Sequence, residues 1–277
     1  MSDTRPKLVA PPGACDTHMH FYDENVPPAP GGPPLPGNFT VSMYQAVQKR
    51  LGLERVIVVQ PNAYQFDNRV TLEAIRALGP NAKGVGVVKP DATSAEIVSL
   101  TMGGICAQRI FNLPHGAVGF DKMDQVMAKV HPFGWHANIQ LDGRDMLKYE
   151  TQIKKLPGKF VIDHVGKFLE PVPLHHEAFR SLLRLLDAGR CWVKLSAPYE
   201  VSRTGAPKYE DVARLAKALV KHAPERMLWA SNWPHPGQTG DRRPDDADML
   251  DLLLDWAPDD ATRKKILVDN PAELYKF

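Results

Sequence analysis

Cysteine is scarce in this chain: Cys15, Cys106 and Cys191 are odd in number and far apart. A disulfide framework or a Cys-based metal cluster needs closely spaced pairs, so neither is expected. Each cysteine sits in or beside an apolar, strand-like run, which predicts buried, reduced thiols. Long hydrophobic runs are missing too. No window approaches the roughly 20 apolar residues that cross a bilayer, and the opening Met1-Ser-Asp-Thr-Arg-Pro-Lys7 lacks the apolar core of a secretion signal. Nor does one sign of charge dominate, with 34 Lys and Arg against 32 Asp and Glu, a net +2. That balance excludes a nucleic-acid stripe or an acidic membrane surface as the main partner. The Gly-rich G-x-G-x-x-G fingerprint of an open dinucleotide-binding sheet is absent as well. The expectation is a soluble, cytoplasmic protein with a small-molecule ligand and neither nucleic acid nor membrane as partner.

What is present is a regular alternation. Eight short apolar or β-branched runs are Gly13–His20, Arg55–Pro61, Gly84–Lys89, Gly104–Phe111, His136–Leu141, Phe160–His164, Cys191–Ser196 and Met227–Asn232. Helix-like stretches separate them, which implies parallel strands with right-handed crossovers. Asp67 is placed to cap a helix running to Leu78 and stopped by Gly79-Pro80. Pro207 suits a first helical turn, followed by an apolar stripe at Val212, Leu215 and Leu219. Eight strands in 277 residues predict a single-domain (β/α)8 barrel over 1–277, an α/β architecture with its site at the C-terminal ends of the strands. Pro/Gly-rich stretches at Pro27–Pro36 and Pro234–Pro244 follow the first and last strands, where they would cover the barrel mouth.

Strand parity then selects residues, because i and i+2 share a face. Asp16, His18 and His20 are expected to point one way, into the barrel. The other strands also close on polar residues: Gln60 and Asn62, Arg109, Gln140, His164, Lys194 and Ser196, and Asn232 followed by His235. One such residue at a strand end is ordinary; convergence from six strands on one rim predicts a site.

At these residues the chain resembles a known family. Asp16-Thr-His18-Met-His20, Ile162-Asp-His164-Val-Gly166, Val193-Lys-Leu-Ser196 and Trp229-Ala-Ser-Asn232-Trp-Pro-His235-Pro resemble the amidohydrolase superfamily, in the branch of 2-pyrone-4,6-dicarboxylate lactonase and D-galactarolactone isomerase. The resemblance implies a TIM barrel acting on an acidic lactone without a metal cofactor. It makes His18, His20, His164 and Asn232 the catalytic set, with Arg109, Tyr199 and Arg203 as contacts to carboxylate and carbonyl. One departure matters. Most of the superfamily carries Asp at the end of strand eight, and Asn232 can neither accept a proton near neutral pH nor ligate a metal well. Three imidazoles would suffice for zinc. With Asn232 neutral and Arg109 nearby, however, the set is expected to hold no metal.

These residues favour rearrangement of a lactone such as D-galactaro-1,5-lactone to the 1,4-lactone, with histidines carrying protons. Hydrolysis of a carboxylated lactone, a zinc-dependent hydrolase and a non-catalytic sugar-acid binder remain as rivals.

Overall fold

The computed structural model describes residues 4–277; Met1 to Asp3, part of the segment read for a secretion signal, lie outside the described residues. Strands β1 (Cys15–Met19), β2 (Arg55–Val59), β3 (Ala82–Gly86), β4 (Ile105–Phe111), β5 (His136–Gln140), β6 (Phe160–Ile162), β7 (Cys191–Leu195) and β8 (Met227–Trp229) form one sheet in chain order. All seven successive pairings are parallel. Between them run helices α1 (Val41–Leu51), α2 (Arg69–Leu78), α3 (Ser94–Met102), α4 (Phe120–Val130), α5 (Met146–Lys154), α6 (Glu177–Asp187) and α7 (Glu210–His222), with α8 (Asp246–Trp256) after β8. The last and first strands meet through Thr17 Oγ1, which donates to the Trp229 carbonyl at 2.8 Å, and through backbone bonds from Asn232 to His18 (2.9 Å) and from His20 to Trp233 (2.8 Å). The result is a (β/α)8 barrel.

Alternation along each strand builds the interior in layers. The lowest is apolar: Cys15, Ile57, Val59, Val85, Ala107, Val161, Trp192 and Leu228. The polar residues stand above it, toward the C-terminal ends. A larger apolar shell, including Val58, Ile75, Ile139, Leu182 and Leu215, seats the helices on the outside.

Several local expectations shift. Strand β3 starts at Ala82 rather than Gly84. Gly84 sits inside it because a Cβ there would lie 2.5 Å from Ile75 Cδ1 of α2. Strands β6 and β8 end before His164 and Asn232, whose φ values of 54° and 59° leave the ladder. Asp67 is one residue too early to be the cap: Asn68 occupies that position, while Asp67 binds the backbone and guanidinium of Arg69. Pro207 precedes α7, which begins at Glu210, although Val212, Leu215 and Leu219 are buried as expected. Cys15 and Cys191 are buried and Cys106 half-buried, all three as free thiols. No helix among the described residues is long and apolar enough to cross a membrane.

Candidate functional site

The site begins in the barrel interior with a fully buried layer. Lys194 on β7 sends its ammonium to Asn138 Oδ1 on β5 (2.6 Å), to His18 Nδ1 (3.1 Å) and to within 3.2 Å of Asp163 Oδ1, just past β6. Asn138 Nδ2 donates to the other Asp163 oxygen at 2.8 Å. Burial alone would raise the Asp163 carboxyl, but Lys194, His164 and Arg109 outweigh it and hold it below its ordinary value. It is therefore a carboxylate; burial lowers Lys194 in turn, and the contact with Asp163 opposes that shift and favours the ammonium.

This layer sets the state of the histidines. An ammonium can only donate, so His18 accepts at Nδ1 and carries its proton on Nε2. His18 Nε2 lies 3.1 Å from His20 Nε2, and His20 Nδ1 lies 2.7 Å from the Val59 carbonyl. The chain thus runs one way, from Lys194 through His18 and His20 to the Val59 oxygen. Burial, reinforced by Lys194, pushes His18 well below its usual range, and burial with Arg109 brings His20 down to about 3. His164 is likewise lowered, by burial and by His18. All three imidazoles are neutral near pH 7.

Above this layer opens a cavity of about 490 Å³. His20, Arg109, Gln140, His164, Lys167, Glu200 and Asn232 face it, while Pro33–Pro36 and Pro236–Thr239 wall it. Both proline-rich segments therefore cover the mouth as expected. The first is pinned: Ala29 N donates to the Ala63 carbonyl at 2.8 Å, and a Cβ on Gly32 would lie 2.4 Å from that same oxygen. Left-handed backbone at His164, Val165, Lys167, Ala197, Asn232 and His235 concentrates at the ends of β6, β7 and β8. Each such residue costs roughly 1–2 kcal/mol, a strain that tends to gather where side chains must be aimed.

Of the residues selected by parity, His20, His164, Asn232, Arg109, Asn62 and Gln140 do meet at the cavity. His18 is wholly buried beneath it and positions His20. Asp16 does not face the site at all. The register of β1 shifts between Asp16 and Met19, turning Asp16 out to accept from Tyr44 Oη (2.9 Å) and Ser231 Oγ (2.5 Å).

Gln60 is a correction of the same kind. Ile57 and Val59 face the interior, so the Gln60 side chain turns to α2, accepting from Thr71 Oγ1, and only its carbonyl meets Arg109 Nη1, at 2.6 Å. Lys194 lies below the cavity rather than at it. Ser196 bonds His164 Nδ1 at 2.8 Å. Tyr199 and His235 stand behind Asn232: His235 bonds Asp246 at 3.0 Å and the Tyr199 hydroxyl at 2.9 Å, and that hydroxyl accepts from Asn232 Nδ2 at 2.9 Å. Arg203 is not brought to the cavity: it is 70% exposed and paired with Glu170.

Three residues were not foreseen: Asp163, Lys167 and Glu200. Asp163 stands directly before His164, and Lys167 follows the Val165-Gly166 turn. Glu200 adjoins Tyr199 in a 3-10 turn, Pro198–Glu200, after β7. Its Oε2 contacts the Lys167 ammonium and its Oε1 accepts from Asn232 Nδ2 at 3.1 Å. Burial lowers Lys167 to about 8.

Imidazoles and a carboxylate gathered at strand ends are potential metal donors. Among the described residues, His18, Asp163 and His164 place one donor atom each within 4.8 Å of one another. The Lys194 ammonium already contacts two of these three groups and neutralises the only carboxylate among them. It also commits the His18 Nε2 lone pair to a proton. A divalent ion would meet a fixed positive charge at contact distance, and these residues do not fit one.

Comparison with known proteins agrees with the motifs. An amidohydrolase family model matches residues 15–277. D-galactarolactone isomerase of Agrobacterium fabrum is 37% identical, over all of this chain and 96% of that protein. 2-Pyrone-4,6-dicarboxylate hydrolase of Comamonas testosteroni is 32% identical, over 98% of this chain and 93% of its own. An apo crystal structure from Agrobacterium tumefaciens superposes with a TM-score of 0.93 at 37% identity, covering 98% of each chain.

Proposed function

Because this chain belongs to the amidohydrolase family, we propose that it isomerises an acidic sugar lactone, of the D-galactaro-1,5-lactone to 1,4-lactone type, by intramolecular acyl transfer without a metal. The observation that carries the reading is incomplete hydrogen bonding at two residues that line the cavity. Arg109 is buried, yet its Nε–H has no partner, and Gln140 Oε1 is likewise buried and unpartnered. An unpaired buried guanidinium N–H calls for an anion, and Arg binds carboxylate with two parallel hydrogen bonds. An unpaired buried amide oxygen calls for a donor, which a hydroxylated sugar acid has and a flat pyrone ring lacks. The full-length similarity to an isomerase of a galactarolactone points the same way.

In this reading Arg109 holds the substrate carboxylate and Gln140 accepts from a ring hydroxyl. His164, with Ser196 donating to Nδ1, turns an Nε2–H toward the lactone carbonyl and stabilises the oxyanion as a neutral donor. A hydroxyl of the same molecule attacks that carbonyl. Intramolecular attack can supply roughly 7–11 kcal/mol of the barrier when well aligned, so no activated water is required. Asn232 is itself no base, so the strand-eight position does not activate a water.

The test is to incubate the protein with D-galactaro-1,5-lactone and follow it by NMR. Accumulation of the 1,4-lactone ahead of any open-chain diacid is expected. Diacid forming above its spontaneous rate, with no 1,4-lactone, would replace this reading with a lactonase.

A further inference from the structure

An isomerisation still needs a proton moved from the attacking hydroxyl to the departing ring oxygen, and the histidines are poorly free to move it. Both ring nitrogens of His20 are engaged, one accepting from His18 and the other donating to Val59. His164 is held at Nδ1 by Ser196, leaving one nitrogen for the carbonyl. Among the described residues the cavity wall offers a single carboxylate, Glu200. We propose that Glu200 is the catalytic proton carrier of the isomerisation, and that position 232 is an amide because it must donate to that carboxylate. The proposal rests on the isomerase reading above and names its missing acid/base group.

Glu200 is held from both sides. Lys167 contacts Oε2 and Asn232 Nδ2 donates to Oε1. Asn232 is itself fixed by a directional chain. Asp246 accepts from His235 Nε2–H, His235 Nδ1 accepts from the Tyr199 hydroxyl, and the Tyr199 oxygen accepts from the other Asn232 N–H. Both amide hydrogens are thereby used, one on Tyr199 and one on Glu200. An aspartate at 232 would set an acceptor against an acceptor, two carboxylates at contact distance, so that only one could stay ionised. Asn232 and Glu200 are thus a matched pair: the acid that most of the superfamily carries after strand eight is here supplied from the turn after β7.

The step balances within the substrate. The hydroxyl oxygen forms a bond to the lactone carbonyl carbon as its proton passes to a Glu200 oxygen. The tetrahedral intermediate then breaks the bond from that carbon to the former ring oxygen, and the departing oxygen takes the proton back. Glu200 begins and ends as a carboxylate, and no water is consumed. The two hydroxyl positions are neighbours on the sugar chain, so one carboxylate can serve both.

Glu200→Gln keeps the shape and the bond from Asn232 but cannot accept the proton. Its kcat for isomerisation is expected to fall 10²- to 10⁴-fold, the usual contribution of a positioned acid/base, with KM held within a few-fold. Should that variant fold poorly, Glu200→Asp keeps the carboxylate, shortens its reach and should lose kcat more mildly at unchanged KM. Asn232→Asp should also lose isomerisation. Wild-type isomerisation together with Glu200→Gln activity within about tenfold of it overturns the proposal and leaves the isomerase reading standing. A wild type that only hydrolyses the lactone overturns both.

Discussion

Beneath the cavity, Asp163, Lys194, Asn138 and His18 form a layer with no exposed side chain, where each charge has its counter-charge inside the barrel. Further along the same strands and their loops, Arg109, Gln140, Lys167, Glu200 and Asn232 again combine charged and amide side chains, with a different outcome. Here an Arg109 N–H and a Gln140 oxygen remain unpaired. In the first layer Asp163 Oδ1 lacks a hydrogen bond but faces the Lys194 ammonium at 3.2 Å, whereas the open atoms of the second layer face no such counter-charge. Polarity inside a barrel therefore does not by itself mark the reacting groups. What separates the layers is which polar atoms still lack a partner, and perturbing each layer should damage a different property.

The largest effect is expected in the lower layer. Lys194→Met removes one half of a buried ion pair and leaves Asp163 uncompensated, which typically costs about 3–5 kcal/mol. The melting temperature should drop on the order of 10 °C. Adding Asp163→Asn should recover part of it, because the unpaired charge is then gone. Calorimetry of the single and double variants checks this. An unchanged melting temperature for Lys194→Met would mean that the two layers do not differ in the way described.

In the upper layer the sign of the trade reverses. Arg109→Ala should cost less stability than the Lys194 change, since burial disfavours a guanidinium whose hydrogen bonds go only to the Gln60 carbonyl and Asn62. Losing a buried, charge-paired contact to the substrate typically costs about 2–5 kcal/mol. The expected result is kcat/KM lower by about two to three orders of magnitude, measured by steady-state NMR or coupled assay. A variant that melts much earlier while retaining affinity would place Arg109 with the structural layer instead.

The sequence tells these layers apart only in part, and the reasons are local. Strand number and order were legible because β-branched runs recur between helix-like segments. Of the cavity residues, His20 and Gln140 followed from parity, Arg109 and Asn62 from their place at strand ends, and His20 and Arg109 from the family resemblance as well. Parity failed at Asp16, where the β1 register shifts; Gln60 was selected as a polar strand end, and with Ile57 and Val59 inward its side chain falls on the other face. It could not rank Lys194 against Arg109, since depth inside the barrel depends on strand stagger. Glu200 and Lys167 escaped for another reason: they lie on turns in left-handed or 3-10 backbone, where no periodicity reports direction. Arg203 came from the family resemblance alone, and its side chain points to solvent and Glu170.

The mildest perturbation needs no substitution. Burial, with Arg109 adding to it and Asp163 opposing, brings Lys167 from an ordinary lysine value to about 8. Below that pH the ammonium holds Glu200; as pH rises through 8 the ammonium loses its proton and the carboxylate loses its cation. Activity attributable to this pair should fall about tenfold between pH 7 and 9, following the protonated fraction. Stability should move the other way. An unfolded lysine keeps its proton to about 10.4, so between the two values the unfolded chain binds more protons and this residue's contribution to stability rises with pH. Comparing wild type with Lys167→Met isolates the effect from other alkaline titrations: the variant should lose both the activity limb and the stability increment. If wild type and variant trace parallel pH profiles in both measurements, Lys167 belongs with the inert lower layer rather than with the groups that respond to substrate.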